Sequence, residues 1–152
     1  MSYFCVMVKK VISGGQTGVD RFGLEIAKEL GIETGGTAPK NYKTENGCDL
    51  SLKEFGLVED TSSDYDSRTE KNIINSDGTV IFGDVKSPGT KLTIKLLKKH
   101  TKKYVENPTV EKLKQFITEN NIEVLNVAGN RKSKLNLAQM NTIKTTLRGG
   151  LR

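Results

Sequence analysis

Short apolar runs alternate along this chain with longer stretches whose apolar residues recur every three or four positions. Val8-Lys9-Lys10-Val11-Ile12-Ser13 predicts a first strand, closed by Gly14-Gly15. From Gly18 to Leu30, the residues Val19, Phe22, Ile26, Ala27 and Leu30 fall at helical spacing, and Gly31 follows as a C′ residue. A second strand around Ile32 to Thr34 runs into Gly35-Gly36. Residues 37–47 hold Pro, Gly, Asn and Lys with no apolar period and read as a long loop. Phe55 to Val58 reads as a short strand, and Ser63-Asp64 as the N-cap pair of a helix from Tyr65 to about Asn75. Thr79-Val80-Ile81-Phe82 lacks polar alternation, the mark of a central strand buried on both faces. Pro88 suits the first turn of a helix carrying Leu92, Leu96 and Leu97. A strand near Tyr104-Val105, a helix from Thr109 to Asn120, a strand over Glu123 to Val127 and a helix bearing Leu137, Met140, Ile143 and Leu147 complete the series. Repeated strand–helix alternation predicts one α/β domain: a three-layer, Rossmann-like, doubly wound and mainly parallel sheet.

The length of 152 residues agrees with a single domain. Two cysteines, Cys5 and Cys48, cannot make a disulfide framework and point to a reducing, cytoplasmic setting. No run approaches the ~20 apolar residues of a membrane span. Tyr3 to Val8 is too short for a signal-peptide core, and residues 1–8 stand as a candidate N-terminal extension. The net charge of +6 favours an anionic partner. Single-strand nucleic-acid binders combine basic grooves with exposed rings. Here there is no Trp, and Phe22, Phe55, Phe82 and Phe116 sit in apolar patterns that read as core. A small anionic molecule therefore fits the composition better than a nucleic acid.

Ligands of open parallel sheets bind beyond the carboxyl ends of the strands. Three turns at such ends carry distinctive residues. The first, Gly14-Gly15-Gln16-Thr17-Gly18-Val19-Asp20-Arg21, combines glycines with a following helix N-terminus, the elements of a phosphate cradle. No Lys-Ser/Thr pair follows its last glycine, so it is not a Walker loop, and its spacing departs from G-x-G-x-x-G. A tight turn that holds nothing is the alternative. The second turn, Lys86-Ser87-Pro88-Gly89-Thr90, offers Ser87, Gly89 and Thr90 at another helix start; alone it reads as an ordinary N-cap. The third, Asn126-Val127-Ala128-Gly129-Asn130-Arg131-Lys132-Ser133-Lys134, places Arg131 and Lys134 after a glycine turn, with a solvated loop as the alternative. All three should share one edge of the sheet and converge on one ligand.

Arg68 and Asn72, one helical turn apart, add a candidate polar contact. Asp64, Asp66 and Glu70 sit in the first turns of their helix, where negative charge is stabilising in any case. His100 closes a basic helix end, and no Cys/His cluster supports a metal site. No catalytic pair stands out.

Several of these segments resemble the molybdenum carrier family: Ile12 to Arg21, Gly31 to Lys40, Tyr65 to Ile73 with Ser76 to Thr79, and Asn126 to Gly129 with Arg131 and Ser133-Lys134. The resemblance runs from about Lys10 to Arg148. That family is similar in fold to nucleotide-binding Rossmann-like proteins, among them the LOG phosphoribohydrolases and related ligand sensors. It implies a non-catalytic carrier of molybdenum cofactor (molybdopterin) or another phosphorylated anion, with Lys40 among the contacts and with metal held by the cofactor's own sulfurs. A homo-oligomer is expected with it. The family more often has glycine at Pro88, and proline and an acid at Asn130 and Lys132. The alternative is a LOG-like nucleoside-monophosphate phosphoribohydrolase or a nucleotide-binding sensor. Those hydrolases carry a glutamate where this chain has Thr93.

Overall fold

The computed structural model describes residues 7–152, so Cys5 and residues 1–6 of the candidate extension lie outside the described residues. Val8 packs into the main core, which makes it part of the domain. In chain order the elements are β1 (Lys10–Ile12), α1 (Val19–Glu29), β2 (Glu33–Ala38), β3 (Lys43–Thr44), β4 (Gly47–Cys48), β5 (Leu57–Glu59), α2 (Tyr65–Ile74), β6 (Gly78–Phe82), α3 (Pro88–Lys99), β7 (Lys103–Glu106), α4 (Val110–Glu119), β8 (Val124–Gly129) and α5 (Leu137–Gly150). Six strands form one sheet in the order β5-β2-β1-β8-β6-β7, every pair parallel. The helices α1, α4 and α5 pack together, as do α2 and α3, giving the three-layer Rossmann-like architecture.

Two periodicities build these layers. Alternate residues of the central strands face opposite sides: Val80, Phe82, Leu125 and Val127 enter the core under α1, α4 and α5, while Ile81 meets Ile73 of α2 and Leu97 of α3. Each fully buried side chain of this kind contributes roughly 1.5–3 kcal/mol. The four phenylalanines expected in the core are all buried. Helix α1 ends as its sequence indicates. Gly31 adopts φ 75°, Ile32 N–H donates to Ala27 O and Gly31 N–H to Lys28 O, the hydrogen-bond pair of a Schellman motif.

Three local expectations need correction. The second strand does not stop near Thr34 but continues through Gly35-Gly36 to Ala38, pairing with β5 as well as β1. A Cβ on Gly36 would lie 2.2 Å from Ser13 O, so the glycine lets β2 approach the end of β1 closely. Residues 37–47 are not an unstructured loop. They complete β2, form a 3-10 turn (Lys40–Tyr42) and fold into the β3–β4 hairpin, with Lys43 opposite Cys48. Asp64 is the N-cap of α2 by position, yet its side chain caps no amide.

The register aligns the functional edge. Ile12 pairs with Asn126 and Phe82 with Gly129, so the turns after β1, β6 and β8 leave the sheet side by side.

Candidate functional site

Beyond that edge, on the α2–α3 side of the sheet, lies a cavity of about 540 Å³. The three turns do converge there. Gly14, Gln16 and Asp20 come from the first, Ser87, Gly89 and Thr90 from the second, and Asn126, Gly129, Arg131 and Lys134 from the third. Helix α2 lends Arg68 and Asn72. Its Tyr65, Asp66 and Thr69 also line the wall, since residues three and four apart share a helix face.

The most polar part of the wall is the contact between Asp20 and Arg68. Asp20 is only 4% exposed. Its carboxylate accepts the Gln16 N–H at 3.2 Å and lies 3.5 Å from Arg68 Nη1. Burial pushes the Asp20 carboxyl up to about 6, against the opposing pull of Arg68 and of the Gln16 and Gly14 main chain. The Arg68 side chain packs closely against Gly14, where a Cβ would fall 2.1 Å from Nη1. Its Nε is buried and has no hydrogen-bond partner among the described residues. A buried donor left without an acceptor is costly, and such an atom beside a cavity marks where an acceptor is wanted.

The first turn is a correction to the phosphate-cradle reading, because most of its amides are already used. Gly15 N–H donates to Ser13 Oγ, Gln16 N–H to Asp20, Thr17 N–H to the Gln16 side chain and Val19 N–H to Asn130 O. The chain's own carboxylate, Asp20, occupies the place that an external anion would take. Gly15 turns its α-carbon toward Leu52 and Leu57. Thr17, Gly18 and Arg21 face a second hollow of about 400 Å³ rather than the main cavity. Arg21 is bound to Asp49 and Ser51 at 3.0 and 2.8 Å. Thr17 Oγ1 bonds to Glu45 at the tip of the hairpin and accepts the Lys132 N–H. Glu45 also accepts from Ser133 Oγ and N–H; although desolvation opposes it, these bonds and the Thr17 bond hold its carboxyl below the usual range. This clasp orders the hairpin and joins the first turn to the third. Lys40 is exposed and lines neither hollow.

Two more residues are spent on structure. Asn72 borders the cavity, but its amide accepts the Thr37 N–H at 2.8 Å and donates to Thr37 O at 2.9 Å. Ser87 caps α3 and accepts from Asn130 Nδ2, while Asn130 Oδ1 receives the Asp84 N–H. Asn130 thus stitches the second turn to the third, a role that only the tertiary arrangement reveals. What remains open to a ligand is the start of α3 at Gly89, Arg68 at the wall, and the exposed cations Arg131 and Lys134; Thr90 is buried, with its N–H and hydroxyl both bonded to Ser87. Among the described residues no carboxylate lies within ion-pair distance of either cation, and no group of three or more His, Cys, Asp and Glu side chains is placed to hold a metal ion. No helix of the described residues is long and apolar enough to cross a membrane.

The sequence model of the circularly permutated YpsA SLOG family matches residues 11–148. The chain belongs to that family. A crystal structure at 1.45 Å resolution of a protein from Syntrophus aciditrophicus SB, described as a "putative molybdenum carrier protein", is similar to it. The two are 32% identical with a TM-score of 0.81, covering 95% of this chain and 94% of the other. No curated protein matches the chain.

Proposed function

We propose that this protein is a non-catalytic binding or carrier protein for a phosphorylated, anionic small molecule, with molybdenum cofactor as the ligand that its family and its structural neighbour point to. The observation that carries this reading is the cavity wall itself: the Arg68 side chain with a buried, unmet Nε donor on one side, and a helix start with two unpaired cations on the other. Its volume lies in the 300–1,000 Å³ typical of small-molecule sites. The fit to a cofactor with a terminal phosphate is therefore good in size and sign. Arg131, Lys134 and the α3 N-terminus would hold the phosphate, and the cofactor would bring its own sulfur ligands for molybdenum. The LOG-type alternative gains no support from this wall, since Thr93 stands at the position of the glutamate and its hydroxyl is bonded to Gly89 O at 3.0 Å. A cytoplasmic location and a homo-oligomeric state belong to the same reading, and light scattering measures the second.

Native mass spectrometry of protein purified without air is expected to show a retained, phosphate-bearing ligand. Calorimetric titration of that ligand should weaken about tenfold when both Arg131→Ala and Lys134→Ala are introduced, with a shallower dependence on salt. Unchanged affinity in the double variant would remove these residues from the site. A second variant acts through space rather than through loss of charge. A side chain at Gly89 meets nothing within 4 Å, so Gly89→Asp should be accommodated and should stabilise α3 by about 0.5 kcal/mol. The same carboxylate would repel the ligand, and a binding loss of about tenfold with an unchanged or raised melting temperature is expected. Full binding in Gly89→Asp would show that the anion sits elsewhere.

A further inference from the structure

The two ends of the cavity are chemically unlike. Arg131 and Lys134 at the rim are exposed, and the start of α3 adds its positive dipole there. The floor is made by side chains that are almost wholly buried: Asp20 at 4% and Asn126 at 3% exposure. Arg68 balances the Asp20 charge, so the floor carries no net positive charge to attract an oxoanion. A phosphate or oxometal group pushed to that depth would meet a carboxylate in surroundings that screen poorly. N–H donors face the opposite situation, since an ionised carboxylate only accepts. The side-chain nitrogen of Asn126 is committed to Thr79 Oγ1 at 3.1 Å, which leaves its oxygen as a second acceptor on the floor. Between floor and rim, Ile81, Leu92, Pro88 and the ring of Tyr65 give the wall an apolar stretch.

We propose that the ligand enters ring first: Asp20 and Asn126 accept the N–H donors of an amino-oxo-pyrimidine edge, the edge common to guanine and pterin, while the phosphate stays at the rim on Arg131 and Lys134. This rests on the reading that the cavity takes a phosphorylated small molecule, and it fixes both the class of heterocycle and its direction. The apolar middle suits a flat ring, and the Asp20–Arg68 contact holds the accepting carboxylate in place from behind.

The test is a set of titrations of the whole chain at pH 8, where a carboxyl with a midpoint of about 6 is ionised. The probes are GMP, IMP (which lacks the exocyclic amine), XMP (which has a carbonyl in its place), 6-hydroxymethylpterin phosphate and inorganic phosphate. GMP and the pterin phosphate should each bind about tenfold or more tightly than IMP and XMP, the discrimination a paired donor–acceptor edge provides. Whichever of the two binds more tightly identifies the natural ring. Asp20→Asn should reverse the order of GMP and XMP, a change that a merely structural Asp20 would not produce. Should that variant fail to fold, the preference of the unaltered chain for GMP over XMP still decides the matter. Equal affinity for GMP, IMP and XMP, or binding of inorganic phosphate with no gain from any ring, overturns the proposal and leaves the phosphate-binding reading intact. Failure of every phosphorylated probe overturns both.

Discussion

Gly18→Ala should destabilise the fold by about 3 kcal/mol or more and disorder the third turn. Gly18 has φ 84°, a conformation that costs an L-residue about 1–2 kcal/mol. Its would-be Cβ also falls 2.5 Å from both Asn130 O and Lys132 N, main-chain atoms that cannot rotate away. Forcing turns apart at such a contact adds about 1–3 kcal/mol. The third turn carries Arg131 and Lys134, so ligand affinity should fall with stability even though Gly18 does not line the cavity. Gly31→Ala is the control, since it has a similar φ of 75° but nothing within 4 Å of the added carbon. It should cost only the backbone part, about 1 kcal/mol. Urea denaturation of the two variants measures both; equal losses would mean that the close approach of the turns contributes nothing.

The second large effect is on pH dependence. The Asp20 carboxyl sits at about 6 in the folded chain against 3.8 for a free side chain. Between those values the folded state binds more protons than the unfolded one, so stability is highest below pH 4 on account of this group and falls as pH rises through 6. The difference amounts to about 3 kcal/mol, complete by roughly pH 7. Asp60 acts in the opposite sense. Its carboxyl is held down to about 2, chiefly by the hydrogen bond from Lys71, so its contribution is present above pH 4 and is lost as pH falls through 2. Comparing the wild type with Asp20→Asn from pH 4 to 7.5 separates the two, because Asp60 is unchanged. The stability advantage of the wild type over the Asn variant should shrink by about 3 kcal/mol across that range. Parallel profiles would show that Asp20 is not buried in this way.

Much of the site was legible from the chain because it follows strands. The turns after β1, β6 and β8 were identifiable by their glycines and by the helices behind them, and parallel topology requires them to share an edge. The role of the individual residues was not legible. Glycines read as openings for a phosphate at Gly15 and Gly18 serve contacts within the protein, against Leu52 and Leu57 in one case and against the third turn in the other. Asp20 was read with the first turn as part of a cradle for an external anion, yet its own carboxylate accepts an amide of that turn. The hairpin over 43–48 gave no apolar period, since it is held through Glu45 to residues 28 and 88 positions distant.

The order of strands and helices, the burial of β6 and the ends of α1 were determined by the sequence alone, because apolar period, capping and αL glycine are local properties that act over a few residues. Which amides are free, which carboxylate fills a cradle and which cations stay unpaired were decided only in the tertiary structure. Each depends on a partner brought in from a distant segment, and a hydrogen-bonding group reads the same in sequence whether or not that partner arrives.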